Sequence, residues 1–293
     1  MKQHETAWMT GRLLIMLLLC LAVLYVAPAQ AQEKGVRLVD YVNPFVGTDG
    51  YGNVYPGAQI PFGGIQISPD TDSHFYDAAS GYKYSHHTLL GFSLTHLSGT
   101  GIPDLGDFLF MPGTGTLHLE PGSHEHPESG YRSRYSHERE WATPNYYAVE
   151  LTDYGVKAEM TSGKRSGMFR FTYPQSDSAF ILIDMNHTLW QTCEWANLRM
   201  ENDSTLSGYK LVKGWGPERH VYFKAVFSKK FSDLLFMQAG KPVIYDTSRF
   251  RSRREAWGKG LMACIRFATT EREEVTVKVA ISSVSTDGAT GNL

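Results

Sequence analysis

The sequence of 293 residues has few cysteines, no excess of positive charge and a single long hydrophobic run, and each shortage removes a class of protein. Three cysteines, none in a Cys-x-x-Cys pair, exclude a disulfide-dense scaffold and a dithiol redox motif. A net charge of −2 provides no basic surface for nucleic acid or anionic lipid. The chain also lacks a Gly-x-Ser-x-Gly nucleophile elbow and the Gly-Lys-Ser/Thr ending of a phosphate-binding loop. No repeat, charge block or Pro/Ser-rich linker divides it, which favours one large core.

The hydrophobic run lies near the amino terminus, at residues 13–26. Basic residues precede it and Ala29-Gln30-Ala31 follows it, a pattern typical of a cleaved secretory signal. An uncleaved anchor is disfavoured because the run is shorter than the ~20 residues that a bilayer span needs. A lipoprotein is disfavoured because no small residue precedes Cys20. We therefore predict an exported protein, periplasmic or secreted, from which residues 1–31 are removed.

Two cysteines, Cys193 and Cys264, remain after that cleavage, in a compartment where disulfides persist. A disulfide between them would stabilise the fold by about 4 kcal/mol in the chain-entropy view. Cys264, however, shares one face of a predicted strand with Met262 and Arg266. A disulfide and two free thiols are both open alternatives.

From residue 146 onward, apolar residues recur at every second position, the period of a strand with one buried face. Short strands in series favour stacked antiparallel sheets, so the predicted fold class is all-β and mainly antiparallel. One helix is predicted, over residues 191–200, and residues 286–293 are expected to follow the last strand without a closing element. The clearest alternating segments are 147–151, 168–173, 179–185, 221–227 and 275–281.

Residues 37–119 differ from the rest because they are rich in glycine, proline and aromatic residues. Long loops of this kind are functional or disordered, and the aromatic content argues against disorder. We predict binding loops on a β-scaffold. Glycines at the centre of residues 81–115 free the backbone, so that His96, Asp104 and Asp107 can come together there.

Two clusters carry weaker metal-binding signals. Asp70, Asp72 and His74 alternate and offer oxygen ligands to calcium, but the segment lacks the spaced carboxylates and the glycine of a dedicated calcium loop. His124 and His126 lack the helical i, i+4 spacing that places two histidines on one zinc ion, so a solvated turn is predicted. No metal site is therefore predicted in this chain.

Aromatic residues make up 13% of the chain, a high share. Their rings either stack on pyranose sugars or pack in a β-core and at interfaces, with packing favoured for most of them. Four tryptophans are candidates for either use: Trp190, Trp195, Trp215 and Trp257.

A series of short motifs runs through the predicted loops in a fixed order. They are VNPFVGT at 42–48, GYGNVYPG at 50–57, IPFG at 60–63, SPDT at 68–71, GY at 81–82, GFS at 91–93, THLSGTG at 95–101 and DLGD at 104–107. Together they resemble the amino-terminal signature of glycoside hydrolase family 92, a family of exported, calcium-dependent exo-α-mannosidases. The resemblance covers nearly all of the chain after the predicted signal.

The resemblance implies a β-supersandwich, similar to the galactose-mutarotase fold, for residues 32–285. Residues 286–293 would begin the connection to an (α/α)6 barrel that this chain lacks. In the family, a Glu general acid, an Asp general base and a calcium ion belong mainly to that barrel. The resemblance therefore implies no catalytic residue here, calcium only in the complete enzyme, and mannose-containing glycans as ligands. Inverting hydrolysis needs two carboxyl groups about 6.5–9.5 Å apart, and Asp104 and Asp107 are better explained as loop-bracing and ligand-contacting groups.

The predicted function is that of the amino-terminal carbohydrate-binding domain of a family 92 α-mannosidase, inactive alone. Two alternatives are a free-standing periplasmic mannoside-binding protein and a gene remnant whose uncovered interdomain face binds a separately encoded barrel. For His96, an imidazole that bonds a sugar hydroxyl and one that satisfies neighbouring backbone groups are both open. The residues predicted to contact substrate are His96, Asn53, Tyr55, Thr95, Asp104 and Tyr82.

Overall fold

The computed structural model describes residues 37–73, 78–244 and 254–293. The predicted signal sequence and His74 lie outside the described residues. The chain divides into two units, Met1–Tyr41 and Val42–Leu293. In the first unit, the described part is a 3₁₀-helix at Leu38–Tyr41.

The described part of the second unit consists of 18 short strands, two 3₁₀-helices at Pro127–Ser129 and His137–Arg139, and one α-helix, α1, at Thr286–Asn292. The strands are β1 Ser68–Asp70, β2 Thr88–Leu89, β3 Gly91–Ser93, β4 Leu109–Gly113, β5 Ser133–Arg134, β6 Glu140–Thr143, β7 Tyr146–Leu151, β8 Val156–Ser162, β9 Ser166–Tyr173, β10 Ser176–Asp184, β11 Thr192–Asn202, β12 Thr205–Lys213, β13 Arg219–Phe227, β14 Asp233–Gln238, β15 Lys241–Pro242, β16 Glu255–Gly258, β17 Leu261–Thr269 and β18 Glu273–Ser282.

Two large sheets contain most of these strands. Sheet A has seven strands in the order β1-β3-β4-β10-β17-β14-β15, and sheet B has nine in the order β16-β11-β12-β13-β18-β9-β8-β7-β6. Strands β2 and β5 pair separately. All of these pairings are antiparallel, which confirms the predicted fold class.

The two sheets pack face to face around aromatic side chains that alternate along the strands. Phe110 of sheet A and Phe169 of sheet B have ring centroids 5.1 Å apart, and Phe92 of sheet A lies 6.5 Å from Phe169 in the same way. These rings have no solvent exposure. Burial of about 150–250 Å² for each ring makes such contacts a large part of core stability. The predicted period-2 pattern is therefore the pattern of an inter-sheet core.

The helix predicted over residues 191–200 was wrong, because this segment is strand β11. It pairs with β12 on one side and with β16 on the other. A register shift between Cys193 and Trp195 changes which face each residue takes, so that Cys193, Ala196 and Leu198 are all buried. This bulge interrupts the period of two and produces a spacing that imitates a helix.

The expectation of no closing element after the last strand was also wrong. Ser285 caps helix α1 by accepting a hydrogen bond from the backbone N–H of Gly288 at 2.9 Å. Ala289 is fully buried, and Asn292 Nδ2 donates to the backbone oxygen of Ile281 at 2.8 Å. The helix therefore packs back on the end of strand β18. None of the helices in the described ranges has both the length and the apolar character needed to span a bilayer.

The two cysteines that were candidates for a disulfide are both free and buried. Cys193 lies on β11 of sheet B and Cys264 lies on β17 of sheet A. The structure thus supports the alternative of two free thiols. Burial raises the pKa of the Cys264 thiol to about 12, so it stays protonated and inert.

Candidate functional site

Three loops meet beside one another and form the candidate site. The first carries Asn53, the second covers residues 94–107, and the third covers residues 185–191. The first two join where the backbone N–H of Gly99 donates to the oxygen of Asn53 at 2.7 Å. The second and third join where the backbone N–H of Leu189 donates to the oxygen of Leu105 at 2.9 Å. We call these the Asn53 loop, the His96 loop and the His187 loop.

His96 lies at the base of its loop, and its side chain is completely buried. Its Nδ1 lies 2.8 Å from the backbone oxygen of Gln66, and its Nε2 lies 2.8 Å from Asp70 Oδ1. Ser93 Oγ is 3.1 Å from the same Nε2. Both ring nitrogens therefore have hydrogen-bond partners within the protein. A role in binding sugar stays a prediction.

Asp107 is the centre of a buried ionic cluster. Lys210 Nζ lies 3.1 Å from its Oδ1, and Arg219 Nη1 lies 2.5 Å from its Oδ2. Thr95 donates its hydroxyl to Oδ2 at 2.7 Å and accepts the Asp107 backbone N–H at 3.0 Å. Although burial opposes ionisation, the charges of Lys210 and Arg219 hold the pKa of Asp107 well below its ordinary value. Asp107 is therefore an anion that fixes the loop and not a proton donor.

Asp104 is also buried, and it braces its own loop. Its Oδ1 accepts the backbone N–H of Leu105 at 2.7 Å. Leu105 and Gly106 both have positive φ, at 74° and 75°. At Gly106 a side chain would bring Cβ within 2.7 Å of the backbone nitrogen of Leu189. The tight contact between the His96 and His187 loops thus requires glycine at this point.

Asn53, one of the predicted site residues, has a buried polar atom without a hydrogen-bond partner among the described residues. It takes a left-handed conformation at φ 50°, and its Nδ2 donates to the oxygen of Tyr51 at 3.1 Å. Among the described residues, its Oδ1 has no hydrogen-bond partner. An unpaired amide oxygen that is largely shielded from solvent is costly unless a ligand or water bonds it.

Tyr55 and Tyr82 are both buried. Tyr55 donates its hydroxyl to Gln59 Oε1 at 2.5 Å and places its ring 5.0 Å from the His96 ring. Tyr82 donates to Glu140 Oε1 at 2.9 Å, in a separate cluster that Glu140 shares with Tyr147. The structure therefore brings Tyr55 to the loops of the candidate site and directs the Tyr82 hydroxyl elsewhere.

Two clefts open beside the loops. One of about 670 Å³ is lined in part by Thr95, Asp107 and Arg219. The other, of about 360 Å³, is lined in part by Asp184 and Trp190 of the region around the His187 loop. The strand residues that line the larger cleft belong to sheet B, and those that line the smaller cleft belong to sheet A.

Asp184, at the end of strand β10, is a carboxyl group in the smaller cleft that sequence reasoning did not select. It accepts the Tyr131 hydroxyl at 3.2 Å and the Asn186 backbone N–H at 2.8 Å. Burial raises its pKa above the ordinary value. The signal for it was an acidic residue that ends the apolar run at 179–183.

The four tryptophans that were candidates for stacking or packing are exposed. Their exposed fractions lie between 46% and 57%, so core packing was wrong for them, and stacking or interface packing is still open. Trp190 also has a positive φ of 72°, a strained conformation for a bulky residue. The four are Trp190, Trp195, Trp215 and Trp257.

The structure does not support a metal site at either of the two weak candidates, residues 70–74 and residues 124–126. In the described parts of the chain, no three His, Cys, Asp or Glu side chains are grouped so that they could hold a metal ion. The Asp70 carboxylate is occupied by His96 and His187, and His124 Nε2 lies 3.3 Å from Asp72 Oδ2. These residues therefore do not fit the calcium ion that the family resemblance implies.

The fold places the chain among antiparallel β-sandwich domains. Within that class, residues 41–282 match the N-terminal domain of glycosyl hydrolase family 92, and the chain belongs to this family. The predicted family and its amino-terminal β-domain are both confirmed.

Solved structures and a catalogued relative agree with this assignment. A family 92 α-mannosidase from Bacteroides thetaiotaomicron is 81% identical to this chain, with a TM-score of 0.85. The match covers 87% of this chain and 34% of that enzyme, whose structure is also solved with mannoimidazole. An inverting family 92 mannosidase from the same organism shares the fold, with 24% identity and a TM-score of 0.73 over 89% of this chain and 33% of the other. A protein of Arthroderma benhamiae described as an uncharacterized secreted glycosidase is 29% identical over 175 residues, which are 57% of this chain and 22% of that protein. The chain thus spans about a third or less of the length of these relatives.

Proposed function

We propose that this chain supplies one half of an α-mannoside-binding site, as the amino-terminal domain of a family 92 α-mannosidase. The observation that carries the proposal is 81% identity to an α-mannosidase over 87% of this chain. The contacts between the Asn53, His96 and His187 loops support it, because polar residues of the His96 and His187 loops line two clefts.

Catalysis is proposed to reside in the part of the relatives that this chain does not match. Inverting hydrolysis requires one protonated and one ionised carboxyl group about 6.5–9.5 Å apart. In the His96 loop, two cations hold Asp107 ionised, and Asp104 accepts a hydrogen bond from the backbone N–H of Leu105. Calcium is proposed to bind in the complete enzyme, through ligands outside the described residues.

Asn53 is proposed to contact the mannoside directly, through its unpaired Oδ1. The other five predicted contacts have polar atoms bonded within the protein, so direct binding through them stays a prediction. Exposed Trp190, beside the smaller cleft, offers an aromatic face of the kind that stacks on a pyranose ring.

Export of the protein is also proposed. Two observations support it: the signal-like pattern of residues 1–31 and the similarity to the secreted glycosidase of Arthroderma benhamiae. The ligands are then glycans that end in mannose outside the cytoplasm. The test is to detect the chain in the periplasmic or culture fraction and to determine its amino terminus. We expect that terminus to lie directly after residue 31.

The test of function measures turnover of an aryl α-mannoside with calcium added, and calorimetry with mannose and α-mannobiose. We expect no turnover by the chain alone, because the acid and base are proposed to lie elsewhere. Robust turnover would contradict that division of labour. A heat of binding at millimolar mannose or α-mannobiose would support the alternative of a free-standing mannoside-binding protein. The absence of any heat of binding would exclude that alternative.

A matched pair of variants locates the contact. Asn53→Gly removes the amide but still permits the positive φ, and Asn145→Gly makes the same change at φ 62° in the hairpin between β6 and β7. Where calorimetry detects mannoside binding by the unmodified chain, we expect that binding to be lost with Asn53→Gly and retained with Asn145→Gly. Equal effects of the two variants would contradict the assignment of Asn53.

A further inference from the structure

We propose that His96 is held as a buried imidazolium paired with the Asp70 carboxylate, and that this pair positions the His96 and His187 loops relative to each other. Its importance for sugar binding rests on the proposed function, whereas the charge state and the loop coupling do not. His96 would then be a positioning residue and not a sugar ligand.

The protonation state follows from the partners of the two ring nitrogens. His96 Nδ1 lies 2.8 Å from the backbone oxygen of Gln66, and because a carbonyl oxygen only accepts, Nδ1 must carry a proton. His96 Nε2 lies 2.8 Å from Asp70 Oδ1, and an ionised carboxylate also only accepts. With protons on both nitrogens, the imidazole carries a positive charge.

One neutral arrangement competes with this pair, in which Asp70 holds the proton and donates it to His96 Nε2. The other oxygen of Asp70 weighs against it, because Oδ2 lies 2.8 Å from His187 Nε2. Two histidine donors on one carboxylate stabilise its charged form, and they hold the pKa of Asp70 below its ordinary value despite complete burial.

Packing leaves the Asp70 carboxylate little room for solvent. Gly81 has φ 89°, and a Cβ at this position would lie 2.0 Å from Asp70 Oδ1. The side chains of Asp70 and His96 have no exposed surface. Water therefore cannot replace the imidazolium as a partner, and a buried carboxylate without a cation would be strongly disfavoured.

The pair connects the His96 loop to the His187 loop through hydrogen bonds and ion pairs between side chains. His96 belongs to one loop and His187 to the other, and both bond Asp70 on strand β1. The backbone oxygen of His187 accepts a hydrogen bond from Lys210 Nζ at 2.7 Å. The same Nζ lies 3.1 Å from Asp107 at the far end of the His96 loop. Both ends of that loop are thus tied to one buried chain of charges.

The charge state is tested by NMR of the ring nitrogens in the 15N-histidine-labelled chain at neutral pH. We expect two protonated-type nitrogens for His96, assigned by the signals that disappear in His96→Gln. His220, which is exposed and bonded to Tyr209 through Nδ1, is the internal comparison. A neutral His96, with one unprotonated nitrogen, would overturn the proposal. The charge state is read from the unmodified chain, and His96→Gln serves only to assign its signals.

The coupling of the loops is tested with Asp70→Asn, which keeps the shape of the side chain and removes its charge. We expect His96 to become neutral and amide hydrogen exchange to accelerate about tenfold or more in both loops, with little change in the hairpin between β6 and β7. Faster exchange in one loop alone, or a uniform rise across the sandwich, would contradict positioning by the pair. Mannoside affinity measured on the same samples reports separately on the proposed function.

Discussion

Lys210 Nζ lies 3.1 Å from Asp107 Oδ1, and neither side chain has any exposed surface. Strand β12 places Lys210 on its inward face, between the buried residues Gly208 and Val212. The lysine therefore crosses from sheet B toward the His96 loop, at the cost of two desolvated charges. That cost is recovered only while the lysine, the aspartate and Arg219 are all present.

Lys210→Met is expected to destabilise the chain by about 3–5 kcal/mol, because it removes a partner of a buried carboxylate. Lys230→Met is the matched control, since Lys230 pairs with Asp203 at the surface and 79% of its side chain is exposed. There the loss should be small, because an exposed ion pair contributes little to stability. Urea unfolding at neutral pH measures both, and similar losses for the two variants would contradict the structural role given to Lys210.

Acid should remove a contribution to stability that depends on Glu159. Burial opposes its ionisation, but hydrogen bonds from Arg170 and Tyr146 lower its pKa to about 2. The unfolded carboxyl titrates at about 4.3. Because the folded pKa is the lower one, the contribution is fully present above pH 4.3 or so and is lost as the pH falls toward about 2.

The measurement is the free energy of unfolding of the wild type and of Glu159→Gln from neutral pH down to pH 2.5 or so. The difference between the two should shrink as the pH falls. Glu150→Gln is the control, because the ion pair of Glu150 with Arg139 is exposed and contributes little at any pH. A Glu159 difference that stays constant with pH would contradict the depressed pKa.

Much of the fold could be predicted because a two-sheet core imposes a period of two on most strands. The prediction failed at strand β11, where the bulge between Cys193 and Trp195 changes the phase within one strand. It failed again at helix α1, whose seven residues include two glycines and show little helix propensity. Capping by Ser285 and burial of Ala289 stabilise that helix through contacts that the local sequence does not display.

The site could be predicted only in part. The motif loops contain His96, Asn53 and Asp107, with the partners Asp70 and Thr95, but not the partners that lie on distant strands and loops. Lys210 was visible in principle, as a charged residue at an inward position of strand β12. His187 was not, because it lies 117 residues from Asp70 in sequence and only the pairing of distant strands brings the two within 2.8 Å.

Both cysteines should behave as free, protected thiols. Burial raises the pKa of Cys193 above its ordinary value and that of Cys264 to about 12. Native protein should therefore react slowly with iodoacetamide at mildly alkaline pH, and unfolded protein should react at both positions without a reductant. Peptide mapping by mass spectrometry measures this, and a peptide that links Cys193 to Cys264 would contradict the assignment of two free thiols.

Glycine at position 81 should matter far more than backbone conformation alone requires. Gly81 and Gly99 have similar positive φ values, 89° and 74°, so Gly→Ala costs each about 1–2 kcal/mol in backbone strain. At Gly99 an added Cβ meets nothing within 4 Å, whereas at Gly81 it would lie 2.0 Å from Asp70 Oδ1. Gly81→Ala must therefore displace the carboxylate from its two histidines as well. We expect urea unfolding to show a loss for Gly81→Ala that exceeds the loss for Gly99→Ala by about 3 kcal/mol or more, the scale of a broken buried ion pair. Equal losses would mean that Asp70 has room to move and does not hold the loops.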